Sequence, residues 1–147
     1  MAVRVQTEDF DLGAEAAALR CAGEAGALVT FSGIVRGGTG DVAAMTLEHY
    51  PGMTEAALEE IEAEARARWD LSASLIIHRV GRLAPGENIM MVAAAARHRK
   101  AAFEAAEFLM DYLKTRAPFW KKEETPEGAR WVDAREEDDE ATARWAR

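Results

Sequence analysis

Several features that define common protein classes are scarce in this chain of 147 residues. Cys21 is the only cysteine, which excludes an intrachain disulfide framework and a cysteine-based metal site. The three histidines lie far apart and show no metal-ligand spacing, so we expect neither a metal nor a cofactor. No apolar run approaches the roughly 20 residues that span a bilayer, and the first residues, "MAVRVQTEDF", lack the pattern of a signal peptide. We therefore predict a cytoplasmic protein.

Lysine is also scarce, and its distribution is uneven. Only four of the 18 basic residues are lysines, and three of those four lie in the stretch "KTRAPFWKK", Lys114 to Lys122. Lysine can give up its proton near neutral pH when its surroundings favour the free amine, whereas arginine cannot. The local use of lysine therefore suggests an amine that takes part in chemistry.

The charge of the chain is segregated as well. The net charge of −8 argues against a general nucleic-acid binder, which needs a basic surface. Residues 97–122, here called the basic island, carry seven basic and three acidic residues, a local charge of +4, so the rest carries −12. Such an island on an acidic protein favours small anions over a long polyanion. The alternative is ordinary surface charge that is clustered only in sequence.

Hydrophobic periodicity predicts an alternation of strands and helices. We predict a helix over 11–22 with Asp11 as its cap, and a strand over 26–36 followed by the glycine loop "GGTGD". Further along we predict a strand over 41–50, a helix after Pro51 with Thr54 as its cap, two strands within 73–96 joined by the turn "GRLAPGEN", a helix over 101–116, and a hairpin around "TPEG".

This order favours an α+β fold in one domain, with a mixed or antiparallel sheet. We assign residues 1–135 to the domain and 136–147 to an acidic C-terminal tail, "EEDDEATARWAR". Such a tail is either a loosely held helix or disordered.

The lysines fall around a predicted break in the chain. Lys114 lies in the last helical turn, Pro118 ends the helix, and Lys121 opens the next strand. Because neighbours in a strand point to opposite faces, only one of Lys121 and Lys122 shares a pocket with Lys114. Lys114 either complements the helix dipole, holds an anion, or has a lowered pKa that makes it a base or nucleophile.

Two other reactive side chains are interpreted as structural. Cys21 lies on the alanine-rich first helix and is most simply a small buried hydrophobe. His78 lies within a predicted apolar strand and is interpreted as a satisfied structural histidine.

Several motifs together resemble one known family. The segments "VTFSGIVR", "LEHYPGMTE", "IHRVG", "ARHRKAAFEA", "MDYLKTRAPFWKKE" and "TPEGARWV" are similar to those of the large, catalytic subunit of molybdopterin synthase, the MoaE family. The resemblance covers about Gly26 to Arg135. It implies a fold with an α/β hammerhead element and a homodimer of large subunits, each of which binds one small ubiquitin-like subunit, giving a heterotetramer.

The resemblance also implies an activity. The partner's C-terminal Gly-Gly thiocarboxylate enters a pocket of the large subunit, a sulfurtransferase. Two sulfurs pass in turn to cyclic pyranopterin monophosphate, which yields the dithiolene of molybdopterin for molybdenum cofactor biosynthesis. The cyclic phosphate suits the basic island, and sulfur delivered by a partner requires no persulfide cysteine.

The family's site residues carry over by motif. Lys114 and Lys121 match the two catalytic lysines, and we expect Lys114 to transfer protons and Lys121 to act as a charge partner. The other residues expected at the substrate site are Ile34, Val35, Arg36, His98, Arg99, Lys122, Glu123 and Arg135. The pocket is either formed by one chain or completed across the dimer. Two other functions compete with this enzyme: a non-catalytic module that binds an anionic metabolite, and a scaffold that only docks a ubiquitin-like protein.

Overall fold

The computed structural model describes residues 2–20, 23–37, 43–126, 128–132 and 136–146. Its elements in chain order are β1 (Ala2–Gln6), α1 (Leu12–Ala18), β2 (Ala27–Ile34), β3 (Ala44–His49), α2 (Met53–Arg68), β4 (Leu71–Arg79), β5 (Gly81–Leu83), β6 (Asn88–Ala96), α3 (Arg99–Arg116), β7 (Phe119–Thr125), β8 (Gly128–Val132) and α4 (Glu136–Ala143). The predicted α+β class is confirmed. Within the ranges described, no helix is long and apolar enough to cross a membrane.

A four-stranded sheet in the order β1-β4-β6-β2 forms the centre of the fold. β1 runs parallel to β4, whereas β6 pairs antiparallel with β4 and β2. Strands β4 and β6 are buried on both faces because α2 and α3 cover one face and α1 covers the other. The run Ala93–Ala96 is buried, and its small side chains leave room for these helices.

Helix α3 packs its apolar stripe on the central sheet. The buried residues recur at helical spacing; they are Ala102, Ala105, Ala106, Phe108, Leu109, Tyr112 and Leu113. The helix stops at Arg116 because Ala117, which precedes Pro118, takes an extended conformation with φ −79° and ψ 127°. The long helix thus ends where the sequence predicts, two residues after Lys114.

A second four-stranded sheet has the order β5-β3-β7-β8, and all its pairs are antiparallel. It contains the predicted hairpin, in which Thr125 of β7 faces Gly128 of β8. Its inner face buries Met45, Leu47 and Leu83 against Val35, which follows β2. This contact joins the end of β2 to the second sheet.

Three local predictions differ from the structure because tertiary contacts override local sequence signals. The first residues form β1, a strand that pairs with β4 and that the sequence did not predict. The predicted turn "GRLAPGEN" contains β5, which pairs with β3 in the second sheet. Thr54 is not the cap of α2, since the helix begins at Met53 after Gly52, whose φ of 85° suits glycine.

The C-terminal segment folds as helix α4 and contacts α3. The Trp145 indole donates a hydrogen bond to Asp111 Oδ2 at 2.6 Å, and its ring packs edge-on against Trp69 and Phe108. Arg144 pairs with Glu107 and Asp111. Of the two alternatives for the tail, the structure shows a helix. The domain boundary at residue 135 stays a prediction, because residues 133–135 lie outside the described ranges.

Candidate active site

Lys114 lies in the last turn of α3, with an exposed side chain. A cation at this end of a helix complements the partial negative charge of the free carbonyl groups. Arg116, the next basic residue, contacts Glu64 of α2 at 3.5 Å, and its guanidinium carbon lies 4.1 Å from the centre of the Tyr112 ring. Arg116 is thus engaged by α2 and Tyr112, whereas the charge of Lys114 acts on His78 of β4.

Lys121 and Lys122 lie side by side on β7 and serve different faces of the second sheet. Lys121 pairs across the sheet with Leu47, whose side chain belongs to the buried inner face. Lys122 pairs with Trp131 of β8, and its ammonium lies 5.1 Å from the centre of the Trp131 ring. Trp131 is 55% exposed, so Lys122 belongs to the outer face. Glu123 is on the inner face with Lys121.

His78, near the end of β4, is affected by the charges of both Lys114 and Lys121. The side chain is buried, and Nδ1 lies 2.8 Å from the carbonyl oxygen of Arg79. Because a carbonyl only accepts, Nδ1 carries the proton and Nε2 of the neutral ring is an acceptor. The pKa of His78 is lowered to about 4, mainly by burial and in smaller part by electrostatic interactions with Lys114, Lys121 and His49, while the hydrogen bond to the Arg79 carbonyl opposes the shift. Both lysines therefore lie near one buried ring.

His49 is a further residue of the site, one that the sequence motifs did not single out. His49 ends β3 and pairs across the sheet with Phe119, so its side chain shares the inner face with Lys121. Its Nε2 lies 3.9 Å from Glu55 Oε2, near the start of α2. A signal was present in the sequence, because the motif "LEHYPGMTE" contains both residues, but their pairing becomes visible only in the fold.

The segment Ile34–Arg36 reaches the second sheet from β2. Val35 is buried against Met45 and Leu47, and its backbone is fixed by hydrogen bonds with Glu87 and Gly86 at 3.0 and 2.8 Å. Ile34 and Arg36 on either side are exposed. Since Leu47 also pairs with Lys121, Arg36 lies at the same end of the fold as the lysines.

His98 and Arg99 lie at the opposite end. His98 precedes α3 and Arg99 is its first residue, and both side chains are exposed. Fifteen residues of helix separate Arg99 from Lys114, which is about 22 Å at 1.5 Å per residue. A single chain therefore does not bring the "HR" pair and the lysines together. A cavity of about 520 Å³ lies near the "HR" end, lined by Gly23, Glu24, Asp70, Leu71, Ser72 and Arg97.

Three predicted features fall where the structure gives no description: Arg135, Cys21 and residues 38–41 of the loop "GGTGD". The described candidates therefore form two clusters. The lysine cluster contains Lys114 and Lys121, with Glu123, Val35 and Arg36 beside them. The His98 cluster contains His98 and Arg99.

Known proteins resemble this chain in both sequence and fold. A family model described as "MoaE protein" matches residues 5–116. The "Molybdopterin synthase catalytic subunit" of Cereibacter sphaeroides is 60% identical over 146 residues, covering 99% of this chain and 100% of that protein. The "Molybdopterin biosynthesis MoaE protein" of Burkholderia ambifaria superposes with a TM-score of 0.85 at 60% identity, covering 99% and 98% of the two chains.

A more distant structure shares the fold alone. It is titled "Protein-protein complex of subunit 1 and 2 of Molybdopterin-converting factor", from Helicobacter pylori. It superposes with a TM-score of 0.77 at 20% identity, covering 90% of this chain and 91% of that one.

Proposed function

The chain belongs to the MoaE protein family, and from this premise we propose that it is the catalytic subunit of a molybdopterin synthase. It transfers sulfur from the C-terminal thiocarboxylate of a small ubiquitin-like subunit to cyclic pyranopterin monophosphate, and so acts as a sulfurtransferase in molybdenum cofactor biosynthesis. The observation that carries the proposal is that Lys114, in the last turn of α3, and Lys121, on β7, both act electrostatically on the buried ring of His78.

The two lysines have different surroundings, which supports different roles. Lys114 is exposed at the end of α3, where an amine can reach an incoming chain and move a proton. Lys121 is half-buried on the inner face of the second sheet, where a fixed positive charge stabilises an anionic substrate or intermediate. We therefore assign proton transfer to Lys114 and charge stabilisation to Lys121.

The separation of the two clusters supports a pocket completed by a second copy of the chain. His98 and Arg99 suit a phosphate, since they stand at the positive end of a helix. They lie about 22 Å from Lys114 in their own chain, which is too far to share one small substrate. In a two-fold dimer, the His98 cluster of one chain meets the lysine cluster of the other.

The small subunit is the partner in this proposal. The Helicobacter pylori structure is titled as a complex of subunits 1 and 2, and its subunit of this fold is therefore seen with another protein. With two large and two small subunits the assembly is a heterotetramer. The cytoplasmic location stays a prediction from the sequence.

Lys114→Ala tests the proposal. We expect molybdopterin formation to fall by about 100-fold or more, because general acid–base groups contribute about 10² to 10⁴ in rate. The assay supplies the thiocarboxylated partner and the cyclic pterin and measures the molybdopterin formed. Arg116→Ala is the matched control, since it removes a cation from the same helical turn that is bound to Glu64 instead.

The same assay separates the competing functions. Loss of product with unchanged partner binding, measured by calorimetry, supports catalysis. A normal rate in Lys114→Ala would contradict the catalytic assignment. A wild-type chain that binds the partner but forms no product is a scaffold, and one that binds only the cyclic pterin is a metabolite-binding module.

A further inference from the structure

The six residues between the two lysines contain the turn from α3 into β7. Pro118 and Phe119 form this turn, and the Phe119 N–H donates to the Ala117 carbonyl at 2.9 Å. Helix α3 and strand β7 belong to different layers, so the turn determines how the two amines are placed relative to each other. Side chains from two distant parts of the chain hold it.

The first of these side chains is Thr54 of α2. It is fully buried, and its hydroxyl donates to the Pro118 carbonyl at 3.0 Å across 64 positions of sequence. The same oxygen accepts the Tyr50 backbone N–H at 3.0 Å. Thr54 thus links the turn after α3 to the turn before α2. Thr54 is not the cap residue of α2, so helix capping does not explain these two hydrogen bonds.

The second side chain is His78 of β4. Its ring stacks on the ring of Phe119 with centroids 3.8 Å apart and planes at 17°. The hydrogen bond from Nδ1 to the Arg79 carbonyl fixes the orientation of the imidazole. Phe119 and Lys121 share one face of β7, so the stack lies directly before the lysine on the same side.

We propose that Thr54 and His78 are positioning residues of the sulfur-transfer site, which hold Pro118 and Phe119 so that the amines of Lys114 and Lys121 keep a fixed separation. This inference rests on the proposed function. In this proposal neither residue contacts the reacting atoms. Each acts through the turn, Thr54 by one hydrogen bond to the backbone and His78 by one ring stack.

Paired substitutions at Thr54 test the hydrogen bond. Thr54→Val keeps the shape and removes the hydroxyl, and we expect kcat to fall by about tenfold to 100-fold with KM unchanged, because a misplaced catalytic group lowers the rate of the chemical step. Thr54→Ser keeps the hydroxyl and is expected to retain most of the wild-type rate. Equal kcat values for the Val and Ser variants would overturn the role of Thr54.

Paired substitutions at His78 test the stack. His78→Phe keeps an aromatic ring against Phe119, and His78→Leu does not. We expect His78→Leu to lower kcat by a factor similar to that of Thr54→Val. His78→Phe is expected to retain most of the wild-type kcat. Ile77→Ala is the control, because Ile77 is buried on the opposite face of β4, in the cluster that packs against α1, and its loss destabilises the core away from the turn. A comparable fall in kcat for Ile77→Ala would mean that stability alone is responsible.

A second readout does not depend on turnover. The NMR signals of the Lys114 and Lys121 ammonium groups are expected to shift in Thr54→Val and His78→Leu and to stay in place in Thr54→Ser and His78→Phe. If the wild type makes no molybdopterin while these shifts are seen, the proposed function fails and the positioning role stands. If the wild type is active and the shifts are missing, the positioning role is wrong.

Discussion

His78 is the residue whose surroundings in the fold most alter its chemistry. Burial disfavours the charged imidazolium, and electrostatic interactions with Lys114 at the end of α3, Lys121 on β7 and His49 on β3 add to this effect. The Arg79 carbonyl opposes them by accepting from Nδ1. Burial has a larger effect on the pKa than this hydrogen bond, so the ring is neutral at neutral pH. It therefore adds no positive charge next to the two lysines.

The low pKa of His78 predicts a pH-dependent stability. The pKa is about 4 in the folded chain and near 6.5 when unfolded, so between these values the unfolded chain binds more protons. The free energy of unfolding should therefore fall as the pH drops from about 6.5 to about 4, by roughly 3 kcal/mol from this residue. Urea unfolding at a series of pH values measures it.

His78→Phe is the control for this prediction, because it keeps the stacked ring and removes the titrating group. The difference in unfolding free energy between the wild type and His78→Phe should change across this pH range, while the effects of all other groups cancel. A difference that is constant from pH 7 to pH 4 would contradict a buried, neutral His78.

At this scale the sequence predicts some residues of the site and misses others. Lys114 and Lys121 stand out by composition, and the alternation of a strand separates Lys121 from Lys122. Thr54 and His78 do not stand out, because the groups that give them a role lie 64 and 41 positions away. The interpretation of His78 as a satisfied structural histidine is correct, since the ring is buried and hydrogen-bonded. Its stacking partner, Phe119, can be identified only from the fold.

Among the elements, α4 shows how a segment of low hydrophobicity is held in place. The contacts of α4 and of the residues after it converge on Asp111 of α3, whose carbonyl accepts from Thr142 at 3.0 Å and from Thr115 of its own helix at 3.1 Å. The carboxylate of Asp111 accepts from Arg144 and Trp145. Since Asp111 stands one turn before Lys114, these contacts also stabilise the end of α3 that carries the lysine.

Trp145 is predicted to be the main anchor of this segment. Trp145→Ala should lower the free energy of unfolding by about 2 to 4 kcal/mol, because it removes both ring packing and a hydrogen bond to a carboxylate. Trp145→Phe keeps most of the packing and should cost about 1 to 2 kcal/mol. Chemical denaturation measures both.

The exposed Trp131 provides the matched control for Trp145. The same change to alanine on the outer face of the second sheet should cost less than about 1 kcal/mol. Equal losses at the two tryptophans would mean that the C-terminal segment is not anchored by Trp145.

Elements with strong periodicity or a clear turn signal could be predicted, whereas β1 and β5 could not. Helices α2 and α3 and strands β4 and β6 are long and carry a clear apolar pattern. Strands β1 and β5 are only five and three residues long. They are strands because β4 and β3 offer them an edge, which is a property of the assembled sheets.

At the scale of the whole molecule, the two clusters of candidate residues lie far apart. The sequence places His98, Arg99 and Lys114 in one basic island, but a straight helix of this length holds its ends about 22 Å apart. Residues that are close in sequence are therefore far apart in the fold. A single pocket within one chain, the simplest interpretation of the basic island, does not hold all of them. The alternative, a pocket completed across a dimer, fits this separation.

Mixed dimers test this arrangement. Lys114→Ala and His98→Ala chains are each expected to be nearly inactive alone. When they are co-refolded in equal amounts, about a quarter of the wild-type activity should return, because half of the dimers are mixed and each has one intact pocket out of two. Product formation is measured with the thiocarboxylated partner and the cyclic pterin.

The control is a mixture of Lys114→Ala with Lys121→Ala. These two residues belong to the same cluster of one chain, so each pocket of a mixed dimer lacks one lysine and no activity should return. Recovery in this control, or none in the first mixture, would contradict a shared pocket.

The length of α3 has a consequence for communication between pockets. In the proposed dimer each copy of α3 contributes its first residues to one pocket and its last turn to the other, so the two pockets are joined by two rigid rods. A substrate that shifts one rod along its axis displaces a lysine in the neighbouring pocket by a similar amount. If the two reaction centres influence each other, α3 is therefore the element that connects them.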